Sequence, residues 1–141
     1  KIVAAQISRV RIRLPWYDLE TAPGQYAWGR YDRVIAAAHG RGLRILALLD
    51  GTPSWLRPPG EANNPVTPPD DFGGFARYAA VIAHRYAGQI DAYQIWDQPN
   101  VTPFWGNRRV DAAGYVRLLR LATAAIRQAD PSALVLSAGL A

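Results

Sequence analysis

Leu43-Arg44-Ile45-Leu46-Ala47-Leu48-Leu49 is an apolar run of strand length, closed by Asp50-Gly51. A strand that reads this way is buried on both faces, as parallel strands are. The segments on either side change period in a regular order. Upstream, Arg9-Val10-Arg11-Ile12-Arg13-Leu14 alternates strictly, with Val10, Ile12 and Leu14 on one face of a strand and arginines on the other. Between the two, residues 28 to 39 place Tyr31, Val34, Ile35 and Ala38 on one helical face before Gly40 and Gly42 stop it. Downstream, a helix capped at Asp70 lines up Phe75, Ala79, Ile82 and Tyr86 and ends before Gly88. A third strand runs from Ile90 to Trp96. The third helix starts near Asp111, lines up Tyr115, Leu118, Leu119, Ala122 and Ile126, and stops at Asp130-Pro131; Ala133 to Ser137 is the fourth strand.

Strand and helix thus alternate without hairpin signals such as Asn-Gly, which predicts right-handed crossovers and an α/β fold with a parallel sheet of about four strands and three helices. A barrel and an open doubly wound sheet both satisfy this order. No Gly-x-Gly-x-x-Gly or Walker-type loop follows a strand, which weakens the nucleotide-binding version.

Composition narrows the classes further. Of 141 residues half are apolar and 19% charged, the profile of a single globular unit. The net charge of +5 arises from fifteen arginines against eleven acids. Those arginines are scattered along helical stretches, as on a solvated outer face, and no nucleic-acid partner is expected. No apolar run approaches the roughly 20 residues of a membrane span, and Lys1 to Gln6 does not lead into the apolar core of a signal peptide. A soluble chain is expected, with its compartment undetermined and secretion dependent on a leader elsewhere. Methionine is absent, so Lys1 is not a translation start and the chain reads as processed, trimmed or part of something longer. Cysteine is absent too, which removes disulfides, thiolate catalysis and zinc–sulfur sites, and no other metal-ligand spacing or cofactor motif is present.

In parallel α/β folds function sits in the loops after the strand C-termini. Here those loops carry Pro15-Trp16-Tyr17-Asp18, then Asp50-Gly51-Thr52-Pro53-Ser54-Trp55, then Asp97-Gln98-Pro99-Asn100 with Phe104-Trp105-Gly106. The connection from Asp50 to Pro69 is long and holds six prolines, a length that is usually functional or disordered.

These residues resemble the clan A glycoside hydrolases, the cellulase- and β-xylosidase-like TIM barrels. The likeness runs through Val10-Arg11-Ile12, Gly24-x-Tyr26-x-Trp28, Gly42 to Leu46 with Pro53-x-Trp55, and most specifically Ile95-Trp96-Asp97-Gln98-Pro99-Asn100, where the family reads Trp-Asn-Glu-Pro-Asn. It implies that residues 1–141 form one fragment of a partial (β/α)8 barrel, covering about strands two to five. It also implies a retaining mechanism with one glutamate as acid/base and a second, on a later strand, as nucleophile. The chain departs from that pattern twice. Gln98 fills the acid/base slot, and an amide has no titratable proton to give. Asp97 fills the slot of the sugar-contacting asparagine, and no glutamate follows Glu61. One reading has Asp97 take over proton transfer beside Gln98; the other, favoured here, has a site that has lost its acid.

Sugar binding survives both losses, since aromatic faces stack on pyranose rings. Trp16, Trp55, Trp96, Trp105, Asn100 and Arg11 are the candidate substrate-binding residues, with Gln98 and Asp97 at the catalytic position. Each loop tryptophan has packing under its own loop as the alternative, and Trp28, at a helix entry, is assigned to packing. By resemblance Arg11 faces the barrel interior and supports a carboxylate, here Asp97. His39 and His84 lie on helices, away from the strand ends. The expected partner is an oligo- or polysaccharide. The readings that follow are a glycoside hydrolase-like protein inactive at Gln98, a non-catalytic carbohydrate-binding pseudoenzyme, or a half-barrel that self-associates or is covered by the remainder of its barrel, because its outer strands, Arg9 to Leu14 and Ala133 to Ser137, would otherwise be bare edges with apolar faces.

Overall fold

A computed structural model describes residues 7–141. The opening Lys1 to Gln6, to which the leader and start-site readings refer, lies outside the described residues. Four strands, β1 (Arg9–Pro15), β4 (Arg44–Asp50), β5 (Ala92–Ile95) and β6 (Leu134–Leu136), form one parallel sheet in the order β1-β4-β5-β6. Helices α2 (Gly29–His39), α3 (Phe72–Arg85) and α4 (Ala112–Ala129) make the crossovers. Four parallel strands with three long helices are what the alternating periodicity predicts, and the partial barrel is what the resemblance implies.

The differences are local. The turn α1 (Trp16–Leu19) leads into a small antiparallel hairpin, β2 (Glu20–Ala22) with β3 (Gln25–Tyr26), that carries no Asn-Gly signal. Its turn is Pro23-Gly24, with Gly24 at φ +74°, where glycine pays no Cβ penalty, and the Gly24 N–H donates to Glu20 Oε1 at 2.7 Å. The cap of α3 is Asp71 and not Asp70. Asp71 Oδ1 and Oδ2 accept from the N–H groups of Gly73 and Gly74 at 2.8 and 3.1 Å, whereas Asp70 faces sideways to Arg108. Strand β5 stops at Ile95 because Trp96 turns out of the sheet at φ 70°.

Alternation sorts the sheet into two unlike faces. Leu14, Ile45, Ala47, Leu49, Tyr93 and Ile95 meet the helices and are buried against Ile35, Phe75, Tyr78, Ala79, Ile82, Leu118, Ala122 and Ile126. At about 1.5–3 kcal/mol for each large side chain taken from water, this layer is the main stabilising term. Two tyrosine hydroxyls tie the helices to the strand ends. Tyr78 in α3 donates to the Leu14 carbonyl at 2.5 Å, and Tyr115 in α4 donates to the Ile95 carbonyl at 3.0 Å while accepting from Ala138 N–H at 2.6 Å. Among the described residues no helix lies over the second face. It carries Arg9, Arg11, Arg13 and Arg44 on the β1 side and Leu134 and Leu136 on the β6 side, the two leucines 65% and 42% exposed. Strands β1 and β6 are the edges, as the sequence order predicts, but the uncovered face of β1 is a row of arginines and not an apolar one.

Replacing Asp71 by Ala should remove both capping bonds of α3. The expected loss is about 1 kcal/mol, read as a fall in melting temperature of about 4 °C; an unchanged melting curve would show that the cap contributes nothing.

Candidate functional site

Because every strand runs the same way, the ends of β1, β4 and β5 deliver their last side chains to one rim of the uncovered face. Residues paired across parallel strands share a face, so Arg13, Leu48, Gln94 and Leu136 form one row. Two arginines reach upward from β1 to carboxylates at the rim. Arg13 Nε lies 2.9 Å from both Asp50 oxygens, and its Nη2 is 2.9 Å from Oδ2, a forked contact that a lysine cannot copy. Arg11 Nη2 donates to Asp97 Oδ1 at 2.8 Å across the intervening strand. Gln94 joins them, its amide nitrogen donating to the Trp96 carbonyl at 2.9 Å and to Asp97 Oδ1 at 3.3 Å.

The two carboxylates differ in environment. Asp50 has a side chain only 5% exposed, and burial pushes its carboxyl above the ordinary range while the hydrogen bond and charge of Arg13 pull it part of the way back. Asp97 is 31% exposed, and its Oδ2 has no hydrogen-bond donor among the described residues. It is therefore an acceptor fastened at one oxygen and open at the other.

Gln98 stands next to it, half-buried, with its side-chain amide unbonded among the described residues and its backbone N–H donating to the Gly139 carbonyl at 3.0 Å. Both Trp96 and Gln98 have left-handed backbones, at φ 70° and 46°. For non-glycine residues such torsions cost on the order of 1–3 kcal/mol each and persist only where the surroundings enforce them. Here the enforcement is visible: Trp96 N–H is held by the Leu49 carbonyl at 2.8 Å and its indole Nε1 by the Phe104 carbonyl at 2.7 Å.

The remaining predicted residues divide sharply. Trp16, Trp96 and Trp105 are 2%, 1% and 3% exposed, so no ring face is free for a sugar. Trp16 lies nearly parallel to Tyr78 at 5.5 Å and hydrogen-bonds Glu20; Trp96, Trp105 and Phe75 form an edge-to-face cluster at 5.5 to 5.6 Å. For these three the structure corrects the stacking expectation in favour of packing, since the long loops above them bury the rings. Trp55, on a 3-10 turn at Ser54–Leu56, is 40% exposed and keeps a usable face. Asn100 has both amide atoms engaged by Ala141, donating at 3.0 Å and accepting at 3.2 Å. Trp28 packs on Tyr26, as assigned, with the Arg85 guanidinium 4.3 Å above its ring.

Three contributors escaped the sequence reading. Gln94 shares the Arg13 row, and its place in the alternation of β5 was the available signal. The Arg13–Asp50 fork needed the strand register. Glu61, buried in the proline-rich loop, accepts from Asn107 N and Nδ2 at 2.6 and 3.1 Å and from Asn64 Nδ2 at 3.3 Å, so it binds the loop after β4 to the loop after β5. Nothing in its local sequence marks it. No group of three His, Cys, Asp or Glu residues able to hold a metal occurs among the described residues.

No protein-family model matches the chain, and no curated protein matches its sequence. Solved structures do match its fold. The chain is similar to the AHE enzyme from Alicyclobacillus herbarius, with a TM-score of 0.75 at 21% identity over 95% of this chain and 33% of that one. It is similar to a family 39 glycoside hydrolase from the gut symbiont Bacteroides cellulosilyticus, with a TM-score of 0.73 at 20% identity over 94% of this chain and 26% of that one. A third match is endo-glycoceramidase II from a Rhodococcus species, with a TM-score of 0.66 at 20% identity over 99% and 43%. The chain thus spans from about a quarter to less than half of these structures and is a partial TIM barrel of the fold that glycoside hydrolases use.

The Asp50 carboxyl is expected to titrate above the ordinary aspartate range when followed by carboxyl carbon NMR, and Arg13→Ala should move the midpoint higher still. Since the folded state holds this proton to higher pH than the unfolded chain, the contribution to stability is present below the unfolded value and lost as pH rises through the raised one. A midpoint at or below the ordinary range would refute the burial argument.

Proposed function

We propose that this chain forms one wall of a carbohydrate-binding cleft in a glycoside hydrolase-like protein, and that it supplies no proton donor of the retaining kind. The observation that carries the reading is the rim arrangement of Arg11, Asp97 and Gln98: a fastened carboxylate with one free oxygen beside a free amide, on the fold used by sugar-cleaving enzymes. Carboxylate and amide oxygens accept from sugar hydroxyls, an amide nitrogen donates to them, and Trp55 offers a stacking face at the neighbouring loop. The Rhodococcus structure holds a cellobiose-like imidazole, which favours a β-linked glucan or a related chain as the ligand.

Hydrolysis by the two-carboxylate mechanism is not expected of the chain. Gln98 cannot protonate a leaving oxygen, and Asp97 Oδ1 has the donors Arg11 and Gln94 aimed at it, the geometry of an acceptor. Asp97 is therefore a positioning or binding residue in this reading, and the substitution of the acid marks a pseudoenzyme site. Calorimetry with cellotetraose and xylotetraose should give dissociation constants between about 0.1 and a few mM, weakened roughly tenfold by Asp97→Ala, while chromatography of the mixtures shows no shortened product. Absence of binding to any neutral oligosaccharide would sink the cleft, and turnover by the unaltered chain would sink the claim of inactivity.

A second reading is favoured by the exposed Leu134 and Leu136: the uncovered sheet face is buried against another surface, either a second copy or the rest of a barrel. Light scattering of the chain should then show mass rising with concentration. A monodisperse monomer whose β6 amides exchange slowly would count against it.

A further inference from the structure

Outside the Arg11–Asp97 site, the same rim carries a second concavity, a groove of about 590 Å³ between the starts of α3 and α4. Phe72 and Trp105 form part of its lining, with Arg108, Arg109 and Arg117. The groove is one aromatic layer from the Asp97 strand end, because Trp105 packs at 5.6 Å against Trp96. Its charged lining is three guanidinium groups against two carboxylates, Asp70 and Asp111. Asp71 accepts from the N–H groups of Gly73 and Gly74, and Asp111 Oδ1 from Gly114 N–H at 2.9 Å, so each capping carboxylate is engaged by its own helix, with Asp111 Oδ2 left without a donor among the described residues. Asp70 is engaged by Arg108 at 3.1 Å. Arg109 and Arg117 make no ion pair among the described residues, and Arg117 is held with its guanidinium 4.8 Å over the Phe72 ring. Stacking of this kind orients the planar fork and leaves its N–H edge free.

Two guanidinium forks without an ion pair in one concavity, one of them over the Phe72 ring, have a specific complement. A neutral sugar offers neither fork an anion, whereas a carboxylate or sulfate group accepts two parallel N–H bonds from a fork. Scattered solvated arginines would have no such geometry; these two share one concavity, and one of them is fixed by a ring.

We propose that this groove is a subsite for an anionic sugar unit, a uronic acid or a sulfate ester, carried by the glycan that occupies the neighbouring cleft. The assignment rests on the carbohydrate reading given above. It makes the ligand an acidic polysaccharide or a neutral backbone with acidic branches, with Arg109 and Arg117 as the specificity determinants.

The test is calorimetry of the chain with xylotetraose, the same oligosaccharide bearing one glucuronic acid, and a sulfated oligosaccharide of equal length. The glucuronic acid ligand should bind roughly tenfold more tightly than the neutral one at low salt, and the advantage should shrink as ionic strength rises. Arg109→Gln, which removes no ion pair found among the described residues, and Arg117→Gln should each abolish most of the advantage and leave the neutral affinity unchanged. Asp70→Asn, which releases Arg108, should tighten the acidic ligand severalfold. Equal binding of neutral and acidic ligands would overturn the subsite while the cleft stands, and so would an advantage untouched by either arginine variant. No binding of any sugar would remove the cleft and the subsite together. A sulfated ligand that outperforms the uronate identifies the ester as the anion, and the reverse order identifies the carboxylate.

Discussion

A parallel strand can be followed by another in the same sheet only through a crossover on one side, and in this chain every crossover is a helix packed on the same face. That constraint places all four strand C-termini on one rim and, among the described residues, leaves the other sheet face free of helices. Arg11, Arg13, Asp50, Gln94 and Asp97 belong to three separate segments, yet they become neighbours without any connection built for the purpose. Were one crossover left-handed, its helix would lie over the row of arginines and close the site.

The rim is rigid because its aromatic residues are spent on packing. Trp16 fills the space between α1 and α3, stacked on Tyr78, while Trp96 and Trp105 join Phe75 beneath the loops that follow β4 and β5. Glu61 then ties one of those loops to the other through Asn107. A polar side chain buried this deeply is stable only with its hydrogen bonds made, and Glu61 accepts three. The consequence is a rim whose long loops are supported from below, and whose exposed groups are polar side chains and Trp55 more than stacked tryptophans.

How far this was legible beforehand follows from what each signal encodes. Period-two and period-3.6 hydrophobicity report which side of an element is buried, so the order of strands and helices could be read from Arg9–Leu14, Leu43–Leu49 and the helical faces alone. Asp111 and the Asp130-Pro131 stop were readable too, because their partners lie within a few residues. The cap at Asp71 was misplaced by one residue, since Asp70 and Asp71 are equally good caps until Arg108, 38 residues on, engages the first of them. Whether a tryptophan in a loop packs or faces solvent depends on what lies across from it, and for Trp16 that is Tyr78, far along the chain and on another element. Register-dependent contacts such as Arg13 with Asp50 were beyond local reading for the same reason.

The order of carboxylate and amide at Asp97 and Gln98 has an electrostatic rationale in this face of the sheet. Arg9, Arg11, Arg13 and Arg44 project from it, and Asp50 compensates only Arg13. Arg11 needs an anion within reach, and Asp97 supplies it at 2.8 Å. A glutamate at position 98 with an asparagine at 97, the order in the motif this stretch resembles, would leave the oxygen now bonded by Arg11 and Gln94 neutral. Position 98, turned by its left-handed backbone and bonded through its N–H to Gly139, lies outside that pairing. The Asp97–Gln98 order therefore keeps a negative charge within reach of Arg11 and places at position 98 an amide, which has no titratable proton.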